Sequence, residues 1–227
     1  LRRATATFGA AQGVGLTLSP SQKAWIDAWG DPQLEIRLEG WEAYEPAEPF
    51  DAIMSIEAFE AFARQGLTSA QKVAIYSHFF ASCHKWLKPG GKLALQVITY
   101  GNAGPEDFDS FIGAEIFPES DLPRVAEIAE AIERRFEIRS VTNDRAGYAR
   151  TLRAWLANLK ARRAEAVADV GEDVVVRFER YLRLSIYMFE AGTCDLLRFE
   201  LARIDKPRPT GTVLPRGPAA SSYTASR

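Results

Sequence analysis

The stretch 50–62, Phe-Asp-Ala-Ile-Met-Ser-Ile-Glu-Ala-Phe-Glu-Ala-Phe, restricts the fold more than any other part of the chain. Ala52, Ile53, Met54, Ser55 and Ile56 make a short, mostly apolar run behind an acid, the pattern of a buried strand. Glu57 and Glu60 follow at once, set among Phe59 and Phe62. Packing alone gives no reason for two carboxylates beside aromatic rings at a strand end. In open α/β sheets, ligands bind just outside the carboxyl ends of the strands. The stretch therefore predicts a strand that runs into the floor of an active site.

The flanking sequence fits a sheet of this kind. Spans 13–18, 34–38 and 92–99 read as strands, and 20–29 and 70–87 as helices. Ser19 is the expected cap of the first helix, with Pro20 in its first turn. The second carries an apolar stripe of Val73, Tyr76, Phe79, Phe80, Cys83, Trp86 and Leu87, and Lys88-Pro89-Gly90-Gly91 ends it. Alternation of strand and helix implies an α/β fold with a mostly parallel sheet. Further helices are expected over 122–135, 148–168 and 172–190, and strands over 136–141 and 196–204. The last two strands suit an antiparallel edge. Tyr148, Leu152, Trp155 and Leu159 share one face of their helix. Residues 1–8 read as the latter part of a helix closed by Gly9, so a segment upstream is expected. Residues 206–227 contain four prolines and no acid, which predicts a disordered tail.

At 227 residues the chain suits one domain. A net charge of −2 provides no global basic field, so no nucleic-acid partner is expected. No run reaches the roughly 18 apolar residues of a membrane-spanning helix. Cys83 and Cys194 form no metal or redox spacing, so neither a metal nor a disulfide framework is expected, and a reducing cytoplasm is the expected compartment.

Several polar groups are candidates for a site, each beside a plainer use. Thr17, Ser19 and Gln22 can hydrogen-bond a ribose or an amino-acid moiety, or cap a helix. The strand end before them lacks the acid of nicotinamide-binding units. Trp41 beside Glu42 suits an adenine, ring on ring with an acceptor for its amino group, and equally suits packing on the core. Gln96 stands in an apolar strand. An unpaired buried amide costs ~1–3 kcal/mol, so Gln96 is expected to pair with Glu60 or to be a satisfied structural amide. His78 and His84 lie six apart on a helix and do not share a face. Arg177, Arg180 and Arg183 line either a patch for phosphate groups or a solvated helix face.

Read in order, the pieces GVGLTLSPSQ, LEGWEAYEPAEPFDAIMSIEAFEAF, WLKPGGKLALQVIT, AEIFPESDLP, YARTLRAW and RYLRLSIYMFEAGTCDLLRFEL resemble the cyclopropane-fatty-acyl-phospholipid and mycolic acid cyclopropane synthases. These are S-adenosylmethionine-dependent methyltransferases. LKPGG marks only the wider class, whereas LTLSxxQ, GWE and the FE after the fourth strand are far more specific. The resemblance implies a Rossmann-like class I methyltransferase fold, a mostly parallel seven-stranded sheet flanked by helices. One domain would span 1–205, with helical substrate-cap elements within 105–190. The first strand and glycine-rich cofactor loop would lie upstream of Leu1, together with a cysteine ligand.

By position, the resemblance implies S-adenosyl-L-methionine at Thr17, Leu18, Ser19, Gln22, Trp41, Glu42 and Ile56. It makes Glu60 the active-site glutamate and Tyr148 a ligand of bicarbonate, and it puts Leu152, Tyr181 and Phe189 near the lipid pocket. Family members usually carry a histidine after the glutamate and another in the fifth strand, the second being a bicarbonate ligand. Here those positions are Ala61 and Gln96. The implied reaction is methyl transfer to an alkene carbon of an unsaturated fatty acyl (phospho)lipid. It leaves a cation that loses a proton to give a cyclopropane or a methyl- or methylene-branched chain. Glu60 is expected to hold or be the base, oriented by Gln96 and raised in pKa by an apolar pocket. Tyr148 and Phe189 would stabilise the cation. Transient contact with a membrane surface follows from a lipid substrate, through the arginines of helix 172–190. Alternatives are a methyltransferase acting on a prenyl or polyketide-derived molecule, and an inactive cofactor-binding protein.

Overall fold

A computed structural model describes residues 1–104, 111–118 and 120–206. The tail expected over 206–227 lies, apart from Lys206, outside the described residues, as does part of the expected cap. Six strands are present among the described residues. β1 (Gly13–Leu16) and β2 (Leu34–Arg37) form a parallel pair. A second sheet has the order β3 (Phe50–Ile56), β4 (Leu87–Tyr100), β6 (Cys194–Arg203), β5 (Phe136–Asn143). β3 and β4 are parallel, while β6 runs antiparallel to both of its neighbours. β6 therefore sits inside the sheet and β5 forms the edge.

Local sequence accounts for most element boundaries. α1 (Arg2–Phe8) stops at Gly9, whose φ of 74° is open to glycine at little cost. α2 (Pro20–Asp27) is capped by Ser19, which accepts from the Gln22 amide. α3 (Ser69–Trp86) opens with a reciprocal cap between Thr68 and Gln71. After it the chain enters β4 directly, and Gly90, with φ 77°, sits where the register with β3 slips between Phe50 and Ala52. The helix expected over 122–135 is shorter, α4 (Val125–Ala131), and residues 132–135 are turn. That expected over 148–168 breaks at Arg162 into α5 (Arg145–Ala161) and α6 (Arg163–Val170). α7 (Glu172–Ala191) follows.

Two apolar cores result. The first joins α3 and α4 to one face of the sheet through Phe79, Phe80, Leu93, Leu95, Val97, Ile128 and Phe199. The second joins α5 and α7 to the carboxyl end of β4 through Leu152, Leu182, Phe189 and Leu196, with Ile98 against them. The expectation that 52–56 is a buried strand needs correction. Only Ser55 is buried, and Met54 and Ile56 are exposed. Successive side chains alternate in direction along a strand. Residues 53 and 55 therefore face the first core, and 52, 54 and 56 face away from it.

α3 also buries a lysine that its apolar stripe does not advertise. Lys72 Nζ donates to Asp121 Oδ2 at 2.9 Å and to the Leu122 carbonyl at 2.6 Å, and lies 3.6 Å from Glu127 Oε2. The Tyr100 hydroxyl donates to the other Asp121 oxygen at 2.6 Å. These bonds fasten α3 and the end of β4 to the segment that leads into α4.

Candidate active site

The site begins where β3 ends. Ile56 pairs with Gln96, and the next residue, Glu57, has φ 52°. A left-handed backbone is uncommon for a residue other than glycine. It turns the chain into a 3₁₀ turn, Phe59–Ala61. Phe59 anchors that turn by stacking on Tyr76, with ring centroids 4.3 Å apart, inside a cluster that includes Phe62, Phe79 and Phe80.

Glu60 is thereby carried into the interior. Its Oε1 accepts the Ile98 amide at 2.6 Å, and its Oε2 has no partner among the described residues. Parallel pairing with β3 stops at Gln96, so the carboxylate takes the amide that the strand would otherwise have satisfied. Burial raises the Glu60 pKa to about 7, with the Ile98 hydrogen bond opposing the rise and the nearby Glu57 charge adding to it.

Glu57 rather than Glu60 receives the Gln96 amide, which corrects the expected Gln96–Glu60 pair. Gln96 Nε2 donates to Glu57 Oε1 at 2.7 Å, and the Tyr148 hydroxyl donates to Glu57 Oε2 at 3.1 Å. Gln96 Oε1 in turn accepts from Arg198 Nε at 2.8 Å, and Arg198 Nη1 donates to Asp144 Oδ2 at 2.6 Å. The arginine thus settles which end of the amide faces Glu57. Ile56, Gln96, Arg198 and Thr142 are successive cross-strand neighbours, so the relay runs straight across the sheet. Arg198 and Asp144 escaped the sequence reading, because only strand order and register bring them to Gln96.

Tyr148 belongs to two environments. Its phenol meets Glu57, while its ring stands edge-on to Phe189, with centroids 4.9 Å apart and an interplanar angle of 78°. Burial, followed by the Glu57 charge, raises the Tyr148 pKa well above the usual phenol range and keeps it a donor. Leu152 and Phe189 are closed inside the second core. Tyr181 is half-buried and touches Phe117 and Phe178, two rings left largely exposed.

Of the residues expected at the cofactor, Ile56 closes β3 and the others follow β1 and β2. Thr17 Oγ1 donates to Gln22 Oε1 at 2.7 Å and accepts from the Ser19 amide at 3.1 Å. Ser19, Thr17 and Gln22 thus serve the cap of α2 in this structure. Leu18 is 80% exposed beside Gly40. The exposed Glu42 carboxylate folds back over Gly40, its Oε2 lying 2.7 Å from where a Cβ on that glycine would stand. Trp41 packs against Phe62, His78 and Phe79, and its buried indole nitrogen has no acceptor among the described residues. An open recess of about 520 Å³ is walled by Lys23, Asp27 and residues 34–39, and Glu57, Glu60 and Tyr148 are not part of it.

Of the two uses open to the α7 arginines, a phosphate patch or a solvated face, the first is not formed, because the three side chains turn to different partners. Arg177 donates to the Glu115 carbonyl, Arg180 lies over the Phe111 ring, and Arg183 pairs with Glu179. Among the described residues no group of His, Cys, Asp and Glu could hold a metal ion.

The sequence matches the family described as mycolic acid cyclopropane synthetase over residues 1–199. The chain belongs to this family. It is similar to cyclopropane mycolic acid synthase 3 of Mycobacterium tuberculosis, 33% identical over 208 aligned positions, with 84% of this chain and 69% of that protein covered. The fold is similar to the solved cyclopropane synthase MmaA2 of M. tuberculosis, with TM-score 0.76, 31% identity, and 88% and 73% of the two chains covered. The mycolic acid cyclopropane synthase CmaA1, solved with SAH and CTAB, gives TM-score 0.76 at 30% identity, with the same coverage. The chain is accordingly a Rossmann-like, S-adenosyl-L-methionine-dependent methyltransferase of this family, with helices flanking a mixed sheet.

Proposed function

We propose that this methyltransferase acts on an alkene carbon of an unsaturated fatty acyl lipid, giving a cyclopropane or a methyl- or methylene-branched chain. The observation that carries the reading is Tyr148, which joins the carboxylate relay to the apolar layer of α5 and α7. An apolar chain laid against that layer would bring an alkene beside polar groups able to accept a proton. The relatives named for cyclopropane mycolic acids add support.

The residues at the cofactor side fit S-adenosyl-L-methionine. Exposed Leu18 and Ile56 supply apolar surface, the Glu42 carboxylate an acceptor for hydroxyl or amino groups, and the Trp41 indole an unused donor. Thr17, Ser19 and Gln22 would hold polar atoms by exchanging bonds they now make with one another. The cofactor, when bound, supplies an electrophilic sulfonium methyl. The face of half-buried Tyr148 would stabilise positive charge on the substrate by ~0.5–2 kcal/mol, and Phe189, closed in the second core, would add to this only where the substrate parts that packing. Glu60, with a pKa of about 7, is suited to taking up or passing on a proton near neutrality. Transient contact with a membrane surface belongs to the same reading, because acyl lipids reside there.

A substrate with a shorter chain is favoured by one observation, the closed packing of Leu152 and Phe189, which a long acyl chain would have to part. Incubation with methyl-labelled cofactor, lipid vesicles and a mixture of prenyl and polyketide-derived acceptors separates the two. Label in acyl chains is the expected result. Label confined to a prenyl or polyketide-derived molecule would support the shorter substrate. Cofactor binding with no transfer to either would overturn both.

A further inference from the structure

We infer that the Glu57 carboxylate is the proton acceptor of the reaction and fills the place that the family resemblance gives to bicarbonate. The inference rests on the lipid reading above for its substrate.

The donors that would hold a bicarbonate at this position are already engaged. Tyr148 and the side chain in the place of the strand histidine, Gln96, each donate to a different oxygen of Glu57. A carboxylate and a bicarbonate present nearly the same pair of oxygens, so one protein group reproduces the contacts of the ion. Adding the ion would set a second negative charge against the first on the same donors. Like charges that close repel, and more strongly away from bulk water. The residues present do not fit bicarbonate.

Two further observations separate this arrangement from an incidental surface contact. Glu57 holds a left-handed backbone that most side chains avoid, and such conformations gather at functional sites. The Gln96 amide cannot simply rotate, because Arg198 occupies its oxygen and is itself fixed by Asp144. The carboxylate is thus aimed by residues of β4, β6 and α5 and remains exposed on the side away from the first core.

In the step assigned to it, methyl transfer leaves the substrate with a carbocation. A C–H bond then breaks and its electron pair goes to the cationic carbon: from the transferred methyl it closes the C–C bond of a cyclopropane, and from a carbon adjacent to the cation it forms the C=C bond of a branched product. The proton passes to a Glu57 oxygen. Abstraction from a carbocation asks little basicity, so a correctly placed carboxylate suffices.

Three measurements on the full chain test this. The first is binding of ¹³C-labelled bicarbonate, followed by NMR, which needs no substrate. The wild type is expected not to bind, and the Glu57→Gly protein to bind. The second is methyl transfer to lipid vesicles with and without dissolved carbon dioxide. Wild-type turnover should be the same in both, while Glu57→Gly should lose about 100-fold or more, as removal of a general base does. Added bicarbonate should restore part of it. The third uses Glu57→Gln, which keeps the side chain's size. It should lose turnover equally, fold and bind cofactor normally, and show no rescue, because its amide still fills the place. Bicarbonate binding to the wild type, dependence of its turnover on carbon dioxide, or full activity in Glu57→Gln would each overturn the inference. If the wild type labels no lipid while Glu57→Gly gains bicarbonate binding, the substrate reading fails and the assignment of the anion place stands.

Discussion

Glu57 and Glu60 are three residues apart and carry the same functional group, yet their surroundings separate them. Glu60 is buried and its folded-state pKa lies at about 7, above the ordinary 4.5 of an unfolded chain. Between those values the native state holds a proton that the unfolded state has released. Stability from this carboxyl is therefore fully present below pH ~4.5 and is lost as pH rises through ~7. The shift corresponds to about 3 kcal/mol. Glu60→Gln removes this titration, so its unfolding free energy, measured by urea denaturation from pH 4.5 to 8, should not show the wild-type decline. An unchanged slope would mean that Glu60 is hydrated in solution. Glu57 predicts an effect of the opposite kind. Replacement by glycine relieves a left-handed residue and should raise stability by about 1 kcal/mol while turnover falls. Function and stability then part at one position.

At the scale of elements, the sequence showed where helices and strands lie because its signals are local. The apolar stripe of α3, the Ser19 cap, the Gly9 stop and the span 50–56 all appear in the structure. What stayed hidden depends on pairing. The partner of Gln96 was legible as a carboxylate at the exit of β3, but the choice between Glu57 and Glu60 turns on one backbone angle at residue 57. The exposure of Met54 and Ile56 depends on which face the first core covers, and composition does not reveal that. Lys72 was missed for a related reason. Its acidic partners lie 49 and 55 residues downstream, and a lysine on an amphipathic helix ordinarily faces water. Lys72→Met would leave Asp121 and Glu127 buried without their cation and should cost about 3–5 kcal/mol. Thermal unfolding of Lys72→Met and of a triple variant adding Asp121→Asn and Glu127→Gln tests this. The triple variant should recover much of the loss, and a triple variant no more stable than the single would show that packing, not charge, is at stake.

The molecule as a whole places its candidate site across the border of two cores. Glu57, Glu60 and Gln96 are fixed by the first, through the Phe59 cluster and β4, and Tyr148 by the second, through Leu152 and Phe189. Stability is not uniform in such an arrangement, because segments with few buried contacts open on their own. α2 and α6 contain no buried residue, whereas β4 is paired on both edges and α3 buries six side chains. Hydrogen exchange should therefore report opening of α2 and α6 well below the global free energy, and of β4 and α3 close to it. The Tyr148 hydroxyl is a tie between the cores that can be cut without creating a cavity. Tyr148→Phe keeps the ring against Phe189 and removes only the bond to Glu57. If that bond helps seat α5 on the sheet, the variant will exchange faster through the first turns of α5 while α3 is unchanged. Equal protection of α5 in both proteins would show that the apolar layer alone holds it, and that the phenol serves the carboxylate rather than the fold.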